Sequence, residues 1–288
     1  MSSSATATGA KGPSTAIKID GGDDAASIGK PALQSVGIAL AVMEALAQAP
    51  ELSLSELARR VGVAKSTAHR TCAVLTDAGM LARTSAGRYR LGLRLIELGQ
   101  LATSRTSVGS HALPLLVDLR TALGETVQIG VPDGADIVYV ERVEGSRALR
   151  YHSENSRRSP VHRSSGGKVL AAFVPGVLEA RLRAGLRPYT GYTIVVPDVL
   201  RTELDKIRER GYARSVDETE ISMSSLAVPV RSSPQGPVVA AISMIGPTSR
   251  VIGDSESSHV TTLQAAARKL SELLELGDYR LPRRHPTS

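Results

Sequence analysis

The spacing of apolar residues in segment 53–91 changes character twice. Leu54, Leu57, Ala58 and Val61 recur at three- and four-residue intervals, the pattern of one buried helical face. Ser53, with Glu56 three residues later, makes a capping box at the start of that helix, and Gly62 supplies the left-handed residue that ends it. A second helix opens near Ala64. Ala68, Thr71, Cys72 and Leu75 fall on one of its sides, and Ser66, His69, Arg70 and Ala73 on the other. Gly79 closes this helix, after which residues 80–83 and 88–91 flank a turn at 85–87. The stretch therefore reads as helix, tight turn, helix and two-stranded wing.

Before it, residues 33–47 predict a helix with Val36, Leu40, Met43, Leu46 and Ala47 as its buried face. After it, Leu93, Ile96, Leu98 and Leu101 predict a connector helix within 92–110. That helix either pairs with a second copy or packs on its own domain. A further helix over 109–123 carries Pro114, expected in its first turn. From Glu125 the period becomes two, and ETVQIGV, DIVYVERV and RALRYHS predict three strands. Residues 155–163 read as a basic loop, 164–174 as a turn running into a helix, and 175–184 and 198–210 as further helices. Strands over 212–215, 225–231 and 237–245 and a helix over 256–276 complete the pattern. Strands in groups with flanking helices predict an α+β domain, mostly antiparallel, over 111–276. Residues 1–30, without periodic apolar positions, are expected to be disordered, and 277–288 to form a loose tail.

Charge sharpens the reading of the amino-terminal third. The 288-residue chain has a formal net charge of +7, and within 31–110 nine basic residues against five acidic ones leave +4. A helix whose outer face is small, polar and cationic can enter the major groove of DNA. Ser66, Thr67, His69 and Arg70 are the expected base readers. Lys65, with Arg88 and Tyr89 on the wing, is expected to grip the phosphate backbone. The single cysteine, Cys72, permits no internal disulfide, and a reduced cytoplasmic setting is the simplest fit. No apolar run reaches the roughly 18 residues of a membrane span, and the amino terminus does not read as a signal peptide.

Catalytic patterns are incomplete. Ser165 and Lys168 match the S-x-x-K spacing of penicillin-recognising enzymes, but the S-D-N and K-T-G partners are missing. Gly167-Lys168 echoes a phosphate loop, but His162 stands where its first glycine belongs and Val169 where Ser or Thr would bind magnesium. His152 and His162 have no cysteine near them, so no metal site is expected. Residues 164–168 fit an anion site better, since a helix start exposes backbone N–H groups at the positive end of the dipole. The alternative is that Gly166 and Gly167 only permit close packing. A second polar cluster at 217–225, with Ser243 on the next strand, can face this helix start across an apolar pocket.

Four ordered segments resemble one family. They are SLSELARRVGVAKSTAHRTCAVLTDAGMLARTSAGRYRLG, PVHRSSGGKVLAA, RERGYARSVDETEISMSSLAVPV and PVVAAISMIGP. With them the chain resembles the IclR, or isocitrate-lyase-regulator, family of bacterial transcription factors over about residues 33–276. The resemblance implies a winged helix-turn-helix, a linker helix and a GAF-like effector domain, assembled as homodimers or homotetramers on palindromic operator DNA. It implies an effector that is a small organic or aromatic acid. The implied effector site comprises Ser165, Gly166, Asp217, Met223, Ser225 and Ser243. Ser165 stands where glycine is expected, Ser222 where glycine is usual, Ser225 where cysteine is common and Ile245 where a second serine often sits. The expected function is ligand-responsive, sequence-specific regulation of transcription without a cofactor. Effector binding is expected to tilt the C-terminal domains and alter the spacing of two recognition helices. The alternative is a small-acid-processing enzyme with an appended DNA-binding module.

Overall fold

A computed structural model describes residues 34–104, 107–145 and 157–276. Both terminal tails, the expected strand at 147–153 and His152 lie outside them. The chain divides into two compact units, Met1–Gln100 and Leu101–Ser288.

The first unit holds α1 (Gln34–Ala47), α2 (Leu54–Val61), α3 (Lys65–Asp77) and the hairpin of β1 (Leu81–Arg83) and β2 (Tyr89–Leu91). The capping box at Ser53 forms in full, with the Ser53 N–H donating to Glu56 Oε2 at 2.7 Å and the Glu56 N–H to Ser53 Oγ at 3.3 Å. Gly62 takes the left-handed conformation at φ 73° and turns the chain into α3. Leu57, Val61, Cys72, Leu81 and Tyr89 pack with α1 into one core. The buried face of α1 is Ile38, Ala41, Val42 and Leu46, whereas Val36 and Leu40 are exposed. That reverses part of the sequence expectation. QSVGIALAVMEALA is apolar on nearly every side, so its periodicity does not choose a face, and the packing of α2 and α3 does.

The second unit is built on a six-stranded antiparallel sheet in the order β5-β4-β3-β8-β7-β6. Its strands are β3 (Thr126–Asp133), β4 (Asp136–Val143), β5 (Arg158–Pro160), β6 (Ala213–Val216), β7 (Met223–Arg231) and β8 (Val238–Pro247). β5, within the expected loop, is three residues long and ends in proline, too short to show a period. Two helices, α4 (Leu93–Ser104) and α5 (Ser107–Leu123), precede the sheet. Pro114 sits inside α5 rather than in its first turn.

The alternation of side chains across each strand sorts the layers. Val127 and Ile129 on β3, with Leu226, Val228, Ile242 and Met244, meet α5 and the closing helix α10 (Glu256–Leu276). Ala227 and Ala241 point the other way, toward α6 (Ser165–Phe173), α7 (Val177–Ala184) and α8 (Pro197–Arg210). The short helix α9 (Thr248–Val251) links β8 to the last helix. Gly211, at φ 78°, ends α8 and lets the chain re-enter the sheet as β6. Ile242 lies on a central strand with no exposed surface. Truncating it to alanine leaves a cavity that its strand neighbours cannot collapse. Ile242→Ala is expected to lower the unfolding free energy of this unit by about 2–5 kcal/mol, measured by urea denaturation.

Candidate DNA-binding and effector sites

On α3 the outer face consists of Lys65, Ser66, His69, Arg70 and Ala73, all exposed, with Thr67 half-buried beside them. The inner face, Ala68 and Cys72, is fully buried, so the helix has a single orientation available to it. Burial pushes the Cys72 thiol up from its ordinary range, which keeps it neutral and unreactive.

The wing differs from the sequence reading at two positions. The Tyr89 ring is 5% exposed and belongs to the core, and its backbone pairs with Leu52 in both directions at 2.9 and 2.8 Å. It does not present a side chain to a phosphate. Arg88 is also committed internally. Its Nε lies 2.8 Å from Glu51 Oε1, and its Nη2 donates to the Glu51 carbonyl and to Glu56 Oε2, both at 3.3 Å. The Nε contact is charge proximity without hydrogen-bond alignment. The bond from Ser53 and the nearby Arg88 hold the Glu56 carboxyl below its ordinary range. Arg83 and Arg90 are the exposed cations of the wing strands.

In the second unit, the start of α6 is enclosed. Ser164 caps it by accepting from the Gly167 N–H at 3.2 Å. The N–H groups of Ser165 and Gly166 have no partner among the described residues, and both residues are buried. Ser165 Oγ donates to Ser225 Oγ on β7 at 2.8 Å. Ser243 on β8 is 1% exposed, and its Oγ has no hydrogen-bond partner among the described residues. A Cβ built on Gly166 would lie 3.7 Å from that Oγ, 3.6 Å from the Tyr139 hydroxyl and 3.0 Å from Ile137 Cδ1. The two glycines have separate roles. A side chain at Gly167 would collide with the backbone of Val161, so Gly167 serves packing, while Gly166 faces the Tyr139 and Ser243 hydroxyls.

Four of the six residues implied for the effector site therefore converge: Ser165, Gly166, Ser225 and Ser243. Met223 lies two positions before Ser225 on the same side of β7, at the end of the sheet. Asp217 does not join them. Its Oδ1 accepts from Thr248 Oγ1 at 2.8 Å, and its backbone sits at φ 58° in a turn that points the carboxylate away from α6. The acid that reaches α6 is its neighbour Glu218, which meets Lys168 Nζ at 2.6 Å. Burial pushes the Glu218 carboxyl up, and Lys168 opposes that shift. The pair also disposes of the S-x-x-K pattern, since the Lys168 ammonium is held by Glu218 and Ser165 bonds elsewhere.

Sequence reasoning missed Gln128, Tyr139 and Glu218. Gln128, 6% exposed, is the cross-strand partner of Ser243, on the face of β3 that looks toward α6. Two polar residues at alternate positions of a buried strand, Thr126 and Gln128, were the available signal. His162 is fully buried and its Nε2 lies 2.9 Å from the Arg187 carbonyl, which occupies that nitrogen as a donor. No group of three or more His, Cys, Asp or Glu that could hold a metal occurs among the described residues. None of the described helices is long and apolar enough to cross a membrane.

A helix pair with a wing and a solvent-facing cationic helix, together with a separate sheet unit that buries unpaired polar groups at the start of α6, defines a helix-turn-helix regulator with a ligand-binding domain. Residues 35–85 match the IclR helix-turn-helix domain and residues 100–272 the bacterial transcriptional regulator IclR C-terminal domain. The chain belongs to the IclR family of transcriptional regulators. It is 34% identical over 251 residues to the HTH-type transcriptional regulator XynR of Escherichia coli, covering 85% of this chain and 98% of that protein. The IclR structure of Thermotoga maritima aligns with a TM-score of 0.69 and 30% identity, covering 83% of this chain and 98% of that one. An IclR homologue of Microbacterium hydrocarbonoxydans, solved with 4-hydroxybenzoate, aligns with a TM-score of 0.74 and 28% identity over 85% of this chain and 99% of that one. The relatives are named as regulators, and the enzyme alternative is set aside.

The buried Lys168–Glu218 pair leads to a stability test. Lys168→Met alone strands a buried carboxylate and is expected to cost about 3–5 kcal/mol, whereas Lys168→Met with Glu218→Leu recovers most of that loss. Urea unfolding of the two variants against the parent checks the difference.

Proposed function

We propose that α3 occupies the major groove of an operator, and that a small carboxylic acid bound at the start of α6 changes how tightly it is held. Support for the first half is the outer face of α3, where Ser66, His69 and Arg70 stand exposed with Lys65, and Thr67 beside them. Such side chains read base edges, Arg by a bidentate bond to guanine above all. The observation that carries the second half is the set of unpaired donors around one buried point. The Ser165 and Gly166 N–H groups and the Ser243 hydroxyl are all enclosed and all free to donate. Leaving such groups dry and unpaired is unfavourable by about 1–3 kcal/mol each, so an anion that satisfies them binds well. A carboxylate suits them, and the positive end of the α6 dipole adds to its binding.

Lys168, the cation on α6 itself, is neutralised by Glu218 and is not offered to a ligand. Neutral donors beside Ile137 and Tyr139 favour a singly charged acid with an apolar body. The complex of the Microbacterium homologue with 4-hydroxybenzoate agrees with that chemistry. A homodimer or homotetramer in the cytoplasm, presenting two α3 helices to a palindromic site, completes the proposal. The acid then acts by binding one presentation of those helices better than another.

Two measurements test this reading on the full chain. Arg70→Ala is expected to weaken binding to a duplex enriched from a random-sequence pool by about 1–3 kcal/mol, read by fluorescence anisotropy. If its affinity equals the parent's, α3 is not the reader. Ser243→Ala is expected to abolish most of the thermal shift given by benzoate-type acids while leaving DNA binding in their absence intact. An unchanged shift removes Ser243 from the site.

A further inference from the structure

We infer that Arg88 is a positioning residue that sets the wing against the recognition helix and makes no phosphate contact. The inference rests on the DNA-binding reading above and refines it. Arg88 immediately precedes β2, at the end of the wing turn, where its N–H donates to Thr84 Oγ1 at 3.2 Å. Its guanidinium crosses to the segment before α2. There it lies 2.8 Å from Glu51 Oε1 and donates to the Glu51 carbonyl and to Glu56 Oε2. The same Glu56 oxygen accepts from the Ser53 N–H in the capping box. One side chain thus joins the wing turn, the Leu52–Tyr89 bridge and the N-terminus of α2. α2 packs on α3, so the wing angle and the reading helix share one anchor.

Charge argues in the same direction. Two carboxylates surround one guanidinium, so the node as a whole is not cationic and gives a phosphate nothing to bind. Arg83 and Arg90 on the strands either side are exposed, and no salt bridge joins them to an acid among the described residues. A lysine could not replace Arg88, because a point charge on a flexible stem cannot hold the planar guanidinium against Glu51 while one nitrogen reaches both a carbonyl and a second acid.

A phosphate contact and a positioning contact leave different traces. Losing a phosphate contact lowers the slope of log K against log salt by about 0.9 and weakens all DNA alike. Losing a positioning contact leaves that slope and erodes preference for the correct sequence. The test uses the full chain, titrated by anisotropy between about 50 and 200 mM salt against two duplexes. One duplex is enriched from a random pool by the parent, and the other is its scrambled counterpart. For Arg88→Ala the ratio of the two affinities is expected to fall by about fivefold or more, with the slope unchanged. Arg88→Lys is expected to behave the same way. Glu51→Gln, which leaves Arg88 in place, is expected to reduce the ratio too.

A smaller slope with equal weakening on both duplexes for Arg88→Ala overturns the inference. So does an Arg88→Lys variant that matches the parent, or a Glu51→Gln variant that binds both duplexes more tightly with a steeper slope and an intact ratio. A parent chain that itself shows no preference brings down the DNA-binding reading, and this inference with it, and is seen before any variant is measured.

Discussion

A Cβ on Gly167 would overlap the backbone of Val161, and one on Gly130 would lie 2.5 Å from Ile137 Cδ1. Gly167 thus lets α6 settle against the turn at 161–163, Gly130 leaves room on the sheet for the Ile137 side chain, and Gly166 lets the helix start meet that side chain. The burial of the polar groups at the helix start follows from that closeness. With the helix start pressed on the strands, the Ser165 and Gly166 N–H groups lose access to water, and Ser243 is sealed beneath them. A helix one methyl further out would leave its first turn solvated, and water would satisfy those donors.

The cations around this helix are used differently from those on α3. Lys168 and Arg181 are the largest fully buried side chains, and each faces a carboxylate, Glu218 at 2.6 Å and Asp136 at 3.5 Å. Buried pairs of this kind contribute little net stability, since desolvation offsets most of their attraction. What they fix is geometry. Lys168 ties α6 to the turn at 217–222, where Asp217 and Ser222 both hold left-handed backbone conformations without being glycine. Thr190 and Thr193 donate to the carbonyls of Asp217 and Glu218 at 2.7 and 2.6 Å and hold the same turn from the other side. The strain in that turn persists because its surroundings over-determine it.

In the amino-terminal unit, the capping box does more than end a helix. Glu56 satisfies the Ser53 N–H and also receives Arg88, so a local helix-start device becomes a tertiary joint. The arrangement places one acid under two demands, and its depressed carboxyl pKa follows from both. Lys65 and Arg70 on α3 and Arg83 and Arg90 on the wing strands stay exposed, while Arg88 turns to Glu51 and Glu56 and joins the parts.

Where local chemistry decides the outcome, the sequence alone was sufficient. Ser53 with Glu56, the left-handed Gly62, the polar outer face of α3 and the small residues at the start of α6 each act within a few positions of themselves. With the period-two strands they carry the winged helix and the α+β second unit, while the grouping of Ser165, Ser225 and Ser243 came from the family resemblance. What the tertiary structure alone decided were choices between equivalent local options. α1 is apolar on both sides, so only its neighbours could select Ile38 and Val42 over Val36 and Leu40. Arg88 and Tyr89 are the residue types a DNA backbone would need. The tertiary structure gave Tyr89 to the core and Arg88 to Glu51, because partners distant in the chain reach them first. Asp217 and Glu218 are adjacent acids with the same chemistry. A single left-handed residue turned one toward Thr248 and the other toward Lys168, and no periodicity records the sign of a dihedral angle.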